Sequence, residues 1–451
     1  MKIIVVGCGK VGMTLIEQLN DEGHDITVID NDHERLQNAL NQVDVNGVVG
    51  NGTSFRVQSE ADIKHADLLI AVTDSDEINL LSCLIAKKAG NCSTIARVRD
   101  PEYFQEIRYL KEELGLSMAI NPEFTAAAEI SRLIQIPSAL EIDTFAKGRV
   151  NLIRFMIPEG SILDGKQIKD ISASISYNIL ICIVERNHTV MIPNGDTTLY
   201  ANDSISVIIP PKDIVPMFNH IGIRAKAIHN VTIAGGGTIS YYLAKRLSNA
   251  NVHVKIIEKS KERCEMLSEA LPNAMVINGD ASDQQLLLEE GIHQTEAFVS
   301  LTNLDEENIL LSLYANQISN AKRITKINRI AFEDVIKDIP VGSVICPKNI
   351  TSERIIQYVR SFENSMGSNV ESLYRMMDNR IEALEFYIRG ENALTGKTLQ
   401  SLALKKDLLI CCIIRGNDII TPGGRDVLLP GDTVIVVTTH KGLNDIKEIL
   451  N

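Results

Sequence analysis

The sequence predicts an α/β chain built twice over. Each half holds a doubly wound parallel-sheet domain, then a crossover helix, then a small β-rich α+β domain. Three observations predict this. Apolar strand-like runs alternate with helical patterns at the start of each half. A glycine-rich loop follows the first strand. The second half repeats the first: "VIDNDHERL" at 28–36 returns as "IIEKSKERC" at 256–264, and "AVTDSDEINLLS" at 71–82 returns as "SLTNLDEENILL" at 300–311, at offsets of 228 and 229. Pro193-Asn194-Gly195 likewise returns as Pro422-Gly423-Gly424. Such a period exceeds the roughly 20–50 residues of a solenoid repeat and suits a pair of domains per copy.

The elements follow in order. Over 1–120, apolar runs at 2–6, 26–29, 68–72 and 94–98 alternate with helical patterns, which implies a parallel sheet covered on both faces. "NPEFTAAAEISRLIQI" then predicts a crossover helix within 121–139, with Pro122 at its start and apolar residues at three-to-four spacing. Residues 140–225 change character: "LICIVE" (180–185) and "ISVIIP" (205–210) read as strands separated by turns such as "PNGD". The same order recurs as a second alternating domain at 228–346, a helix from about Pro347 to Arg360 within 347–366, and a second β-rich domain at 367–451. Its clearest strands are "LLICCII" (408–414) and "TVIVVT" (433–438).

Composition narrows the function. Aromatics make up 4% of the 451 residues, Trp is absent, and the net charge is −13. That excludes a base-stacking surface and a phosphate-backbone binder, so no nucleic-acid partner is expected. The longest apolar run, Leu408 to Ile414, has seven residues, far short of the roughly 20 that cross a bilayer. No membrane insertion and no signal peptide are expected. The eight cysteines form no CxxC pair and are expected to be buried and reduced, with no metal site.

The sharpest local motif is "IIVVGCGKVGMTLIEQL". Gly7, Gly9 and Gly12 form GxGxxG between a strand and a helix, the arrangement of a Rossmann-like dinucleotide site: tight turn, close approach to a pyrophosphate, close helix–strand packing. The helix N-terminus then faces phosphate. Asp30 ends the second strand, 18 residues after Gly12, where an acid accepts hydrogen bonds from an adenosine ribose. A carboxylate there disfavours a 2′-phosphate but does not separate NAD from ATP or ADP. Lys10 either meets a terminal phosphate or is a solvated lysine. Thr73 and Asp74 follow the fourth strand at the carboxyl edge of the sheet, where such folds bind ligands; Thr73-x-x-Asp76 also resembles a helix-capping box. "ARVRD" puts Arg97 or Arg99 on the same edge.

The copy alters these positions. Gly235, Gly236 and Gly237 open "GGGTIS", and Ser240 replaces the third fingerprint glycine. Glu258 stands for Asp30, with Lys259 and Lys261 beside it; Asn303 stands for Asp74 and Lys326 for Arg97. A weaker, altered or vacant second pocket is expected. No Ser/His/Asp, Cys/His/Asn or HExxH pattern is present, and the β-rich domains carry no obvious acid–base residue, so no catalytic residue is assigned. A dehydrogenase would need one opposite the nicotinamide.

These residues resemble the TrkA family, the peripheral regulatory subunits of Trk-type bacterial potassium uptake systems. The marks are "VVGCGKVG", "VIDND", "VVGNGT", "AVTDSDEIN" and "ARVRD", then "LDGKQIKDI" with "PNGDTTLYANDSISVI", echoed by "LTGKTLQSL" with "PGGRDVLLPGDTVIVV". The resemblance covers essentially the whole chain. It implies a non-enzymatic chain at the cytoplasmic face of the membrane. It would bind NAD(H) and adenine nucleotides (ATP or ADP), assemble as a ring of four double-length chains, and gate a membrane-embedded Trk channel subunit. It further implies that Gly7, Cys8, Gly9, Lys10 and Val11 hold phosphates and Asp30 the ribose, with Asn51, Thr73, Asp74 and Arg97 completing the first pocket. Gly235, Gly236, Gly237, Glu258, Thr302, Asn303 and Lys326 would form the second. Two other readings stay open: an NAD-dependent dehydrogenase, against which the repetition of the non-nucleotide domains counts, and a free-standing nucleotide sensor with another partner.

Overall fold

The computed structural model describes residues 1–174, 179–223, 227–328, 339–365, 370–377, 380–443 and 445–451. Continuous apolar runs form its central strands, because a parallel strand covered by helices on both faces has no solvent side to present. The first sheet contains β1 (Lys2–Val6), β2 (Asp25–Asp30), β3 (Asn46–Val49), β4 (Leu68–Ala71), β5 (Ser93–Arg97) and β6 (Met118–Ile120). All pair in parallel, in the order β3-β2-β1-β4-β5-β6. The order reverses between β1 and β4, and a ligand crevice opens beyond the carboxyl ends of the strands at such a switch point.

A small antiparallel sheet follows: β7 (Glu141–Phe145), β8 (Val150–Met156), β9 (Leu180–Arg186), β10 (Thr189–Met191) and β11 (Ser204–Ile209), in the order β10-β9-β11-β8-β7. The second half repeats both sheets. β12 (Asn230–Ala234), β13 (His253–Glu258), β14 (Ala274–Asn278), β15 (Ala297–Ser300), β16 (Lys322–Lys326) and β17 (Ser343–Ile345) form a parallel sheet in the order β14-β13-β12-β15-β16-β17. β18 (Val370–Met376), β19 (Ile381–Tyr387), β20 (Leu408–Arg415), β21 (Asp418–Ile420) and β22 (Thr433–Thr438) form its antiparallel partner, in the order β18-β19-β22-β20-β21. Both halves therefore have the expected Rossmann-like sheet with a smaller β-rich unit.

The first crossover helix is Pro122–Gln135, with the Asn121 side chain accepting from the Phe124 amide. The second is Pro347–Ser365, one turn past the Arg360 end that the apolar pattern marks, because the continuation is mostly polar. The two helices pack reciprocally. Ala126, Ala127, Ile130, Leu133 and Ile134 of the first share a core with Ile239, Leu243 and Leu247 on helix Thr238–Asn249 of the second half. Ile355, Ile356 and Val359 of the second share a core with Leu15, Ile16 and Leu19 on helix Lys10–Asp21 of the first half. The two antiparallel sheets also share one core, with Cys182 and Ile183 of β9 and Cys411, Cys412, Ile435 and Val437 of β20 and β22. All eight cysteines are buried, as expected. Among the described residues no helix is long and apolar enough to cross a membrane.

Candidate functional site

The predicted first-half residues converge on the carboxyl edge of the first sheet. Gly7 has φ +99° and donates its amide to Ile29 O at 2.8 Å, which joins the loop to β2. Only glycine adopts that backbone without strain. A Cβ on Gly7 would sit 3.1 Å from Thr73, so this loop and the β4 loop touch. Gly9 caps helix Lys10–Asp21 from an extended conformation without any side-chain cap, and nothing lies within 4 Å of where its Cβ would be. By contrast the helices starting at His33, Asp76, Pro101 and Pro122 are each capped by a side chain, from Asp32, Ser75, Asp100 and Asn121. First-turn amides without a cap, under open space, suit an anion. Lys10 is exposed at that turn, and Val11 packs partly against the core beneath. Gly12 has no room for a side chain: a Cβ would lie 2.0 Å from Gly7 O.

Asp30 is nearly buried, 7% exposed. Its Oδ2 accepts the Cys8 amide at 2.7 Å and the Cys8 thiol at 3.2 Å, and its Oδ1 accepts the Asp32 amide at 2.9 Å. Asp30 is therefore first a brace for the glycine loop, and only one acceptor site, on Oδ1, is left over. The Asp30 carbonyl takes the Gly50 amide at 2.8 Å, bringing in the "VVGNGT" turn. There Asn51 is exposed, with its Oδ1 accepting from the Thr53 amide and hydroxyl at 2.9 Å.

Thr73 and Arg97 are joined by a residue that the sequence reading overlooked. Asn79, fully buried, accepts from Thr73 N at 2.8 Å and Thr73 Oγ1 at 2.7 Å, and donates to Thr73 O at 3.2 Å and Arg97 O at 2.9 Å. Its counterpart Asn308 makes the same bridge to Thr302 and Lys326, at 2.8 Å from Thr302 N and 3.0 Å from Lys326 O. The offset of 229 within the repeated motif is the trace from which it can be found. Asp74 and Asn303 lie exposed on the two loops. Arg97 is 8% exposed; its Nη1 reaches Val72 O at 3.5 Å and its Nε has no partner. Burial lowers its pKa, as burial lowers that of Lys326. Both cations lie close enough to Glu123, on the first crossover helix, to feel its charge, and burial in turn raises the Glu123 pKa.

The Thr73-x-x-Asp76 capping box does not form. Ser75 is the N-cap, accepting from the Ile78 amide at 3.2 Å, because the helix begins at Asp76, two residues later than a Thr73 cap would need. Asp76 instead points away from the helix start and accepts the Arg99 and Asp100 amides at 2.8 and 2.7 Å. Arg99 thus contributes a structural amide, and its guanidinium reaches Asp74 O at 3.4 Å.

The second half preserves the frame with exchanged volumes. Gly235 has φ +100° and donates to Ile257 O at 2.8 Å; Gly237 caps its helix without a side chain, under open space. Glu258 braces the loop as Asp30 does, taking the Gly236 amide at 2.6 Å and the Ser260 amide at 2.7 Å. A Cβ on Gly236 would meet Glu258 Oε2 at 2.9 Å and Leu267 at 2.7 Å. Cysteine with aspartate in one half and glycine with glutamate in the other are thus compensating pairs. Ser240 fits by donating its hydroxyl to Gly235 O at 2.5 Å. Lys259 pairs with Asp280 at 2.7 Å, and Arg263 Nε donates to Gly236 O at 2.9 Å.

Comparison with known proteins agrees along the whole chain. The TrkA-N domain model matches residues 3–122 and again 231–347, and the TrkA-C domain model matches 152–219 and 384–451. The Trk system potassium uptake protein TrkA homolog of Archaeoglobus fulgidus is 33% identical over 449 residues, covering 100% of both chains. The Trk system potassium uptake protein TrkA of Haemophilus influenzae is 33% identical over 448 residues, covering 98% of this chain and 96% of its own. Among solved structures, the GsuK channel bound to NAD superposes with a TM-score of 0.63 at 20% identity, over 98% of this chain and 77% of that one.

Proposed function

The chain belongs to the TrkA family, and from that premise we propose that it is a non-enzymatic, nucleotide-binding regulatory subunit of a Trk-type potassium uptake system. It binds NAD(H), or ATP and ADP, on the glycine loops. It assembles as a ring of four chains on the cytoplasmic side of the membrane, and changes of ring shape gate the membrane-embedded channel subunit. A ligand achieves this only through unequal affinity for two ring shapes.

The observation that carries the reading is the first glycine loop: uncapped helix amides under open space above Gly9, beside a carboxylate held at the end of β2. In this role Gly7 to Val11 receive the phosphates and Asp30 Oδ1 a ribose hydroxyl. Asn51, Thr73, Asp74 and Arg97 line the crevice. Gly235, Gly236, Gly237, Glu258, Thr302, Asn303 and Lys326 take the matching places. Names of relatives support the transport assignment, and a fold shared with a channel bound to NAD supports the ligand class. Calorimetric titration of NADH, NAD, ATP and ADP against the full chain tests it. Saturable binding of at least one, weakened by Asp30→Ala, is expected. No binding by any of the four refutes the nucleotide reading, and steady NADH turnover with a metabolite refutes the non-enzymatic one.

A further inference from the structure

The two halves place a carboxylate at the same point under the glycine loop but load it differently. Each carboxylate oxygen has two lone-pair acceptor sites. In the first half Asp30 Oδ2 receives both the amide and the thiol of Cys8, at 2.7 and 3.2 Å, so it is full; Oδ1 receives one amide, from Asp32 at 2.9 Å. In the second half Glu258 Oε2 receives the Gly236 amide at 2.6 Å and Oε1 the Ser260 amide at 2.7 Å, so each oxygen keeps one site. The extra donor is the side chain of Cys8, where the second half has Gly236; the carboxylate it meets differs too, Asp30 against the longer Glu258.

We propose that Cys8 is a specificity-determining residue of the first nucleotide cradle: its thiol occupies an acceptor site of Asp30, so this cradle grips one hydroxyl of an adenosine ribose, whereas the second can grip both. The proposal rests on the nucleotide reading above. Cys8 is 4% exposed, and burial followed by the Asp30 hydrogen bond pushes its thiol up to about 12, so it remains a protonated donor at neutral pH. A cysteine acting only as apolar filler needs no such alignment with the carboxylate, and alanine would replace it without changing ribose discrimination.

Full-length protein carrying Glu258→Ala, which removes the carboxylate acceptor of the second cradle so that discrimination between ribose hydroxyls is read from the first, is titrated calorimetrically with ADP, 2′-deoxy-ADP and 3′-deoxy-ADP. With Cys8 present, one deoxy analogue binds as well as ADP and the other several-fold more weakly. Cys8→Ala frees an acceptor on Oδ2, so both analogues then bind several-fold to about tenfold more weakly than ADP, the scale of one hydrogen bond to a charged group. Cys8→Ser, which restores a donor, returns the parent pattern. Unchanged ratios in Cys8→Ala overturn the proposal. Should Cys8→Ala fail to fold, the parent decides alone: discrimination against both analogues overturns the proposal, and discrimination against one upholds it. Absence of any ADP binding to the parent is a different failure; it removes the nucleotide cradle itself and the proposal with it.

Discussion

Gly12→Ala is the sharpest test of how the first loop is built. The added Cβ would stand 2.0 Å from Gly7 O and 2.9 Å from Gly7 C, whereas carbon–oxygen contacts settle at roughly 3.3 Å, slightly inside the carbon–carbon optimum. Loop and helix must therefore separate by about 1.3 Å. Neither side yields freely. Gly7 is tied to β2 by its amide at 2.8 Å from Ile29 O and touches Thr73. The helix is anchored in the core by Leu15, Ile16 and Leu19. Overpacking of this kind costs about 1–3 kcal/mol. The shift also pulls the Cys8 amide from Asp30, so nucleotide affinity falls as well. The reciprocal change, Ser240→Gly, creates no clash: it removes the buried Cβ and the hydroxyl contact to Gly235 O and puts a glycine in the first helical turn, costing about 1–2 kcal/mol. Urea unfolding followed by far-ultraviolet circular dichroism measures both; the chain has no Trp to report by fluorescence. Equal stability of Gly12→Ala and parent would refute the reasoning.

Three further perturbations follow. Asp30→Ala removes the acceptor for the Cys8 and Asp32 amides, so it should weaken nucleotide binding and also lower stability by about 2–3 kcal/mol without unfolding the chain; Glu258→Ala should weaken binding less, and equal losses by calorimetry would show that both cradles are used alike. Glu22→Ala strands Arg360, whose guanidinium holds Glu22 at 3.1 Å through both Nε and Nη2, at a cost of about 3–5 kcal/mol; an unchanged urea midpoint would show that the second crossover helix does not depend on this clamp. Burial pushes the half-buried Glu129 on the first crossover helix up to about 7, with Glu141 adding and Arg132 opposing. The folded chain therefore binds this proton more tightly than the unfolded chain, where the value is about 4.3. The stability it confers is present at low pH and is lost as pH rises through 7. Glu129→Gln should flatten that part of the pH–stability curve, by no more than about 1.4 kcal/mol per pH unit, and an unchanged slope would remove Glu129 as its source.

The architecture was legible because duplication marks it twice and because the central strands are apolar runs that a parallel sheet requires. The edge strands were not. β3 is "NGVV", with residues largely exposed, and β6 is three residues long; pairing with a neighbour, not local pattern, makes them strands. In the candidate site, the positions of the glycines and of Asp30 on the sheet edge were legible because the strand–loop–helix pattern fixes them. What a sequence could not tell was that most of the acceptor capacity of Asp30 is spent on Cys8 and Asp32, that Asn79 ties Thr73 to Arg97, and that Ser75 takes the cap from Thr73. Each depends on which of several polar neighbours wins one hydrogen bond, a choice made by three-dimensional packing. The compensating pairs at Cys8/Asp30 and Gly236/Glu258 are of the same kind, since either substitution alone would look like simple drift.

Duplication also gives the proposed regulation a physical route. Helix Lys10–Asp21 begins at the first glycine loop, yet its other face carries Ile355, Ile356 and Val359 of the second crossover helix, and its end carries Glu22, clamped to Arg360. Helix Thr238–Asn249 begins at the second loop and carries the first crossover helix. Each cradle thus supports the helix that leads into the other half's antiparallel sheet. A packed interface transmits displacement because it has little free volume to absorb it. A nucleotide seated above Gly9 that moved its helix would press on the second β-rich unit before the first, and one above Gly237 the reverse. If that crossed wiring operates, Glu22→Ala should leave nucleotide affinity in the first half nearly intact while uncoupling it from the second. Binding of the first nucleotide would then stop altering affinity for the next in a two-site titration. Persistence of the coupling in Glu22→Ala would place the route elsewhere, at the shared core of the two antiparallel sheets.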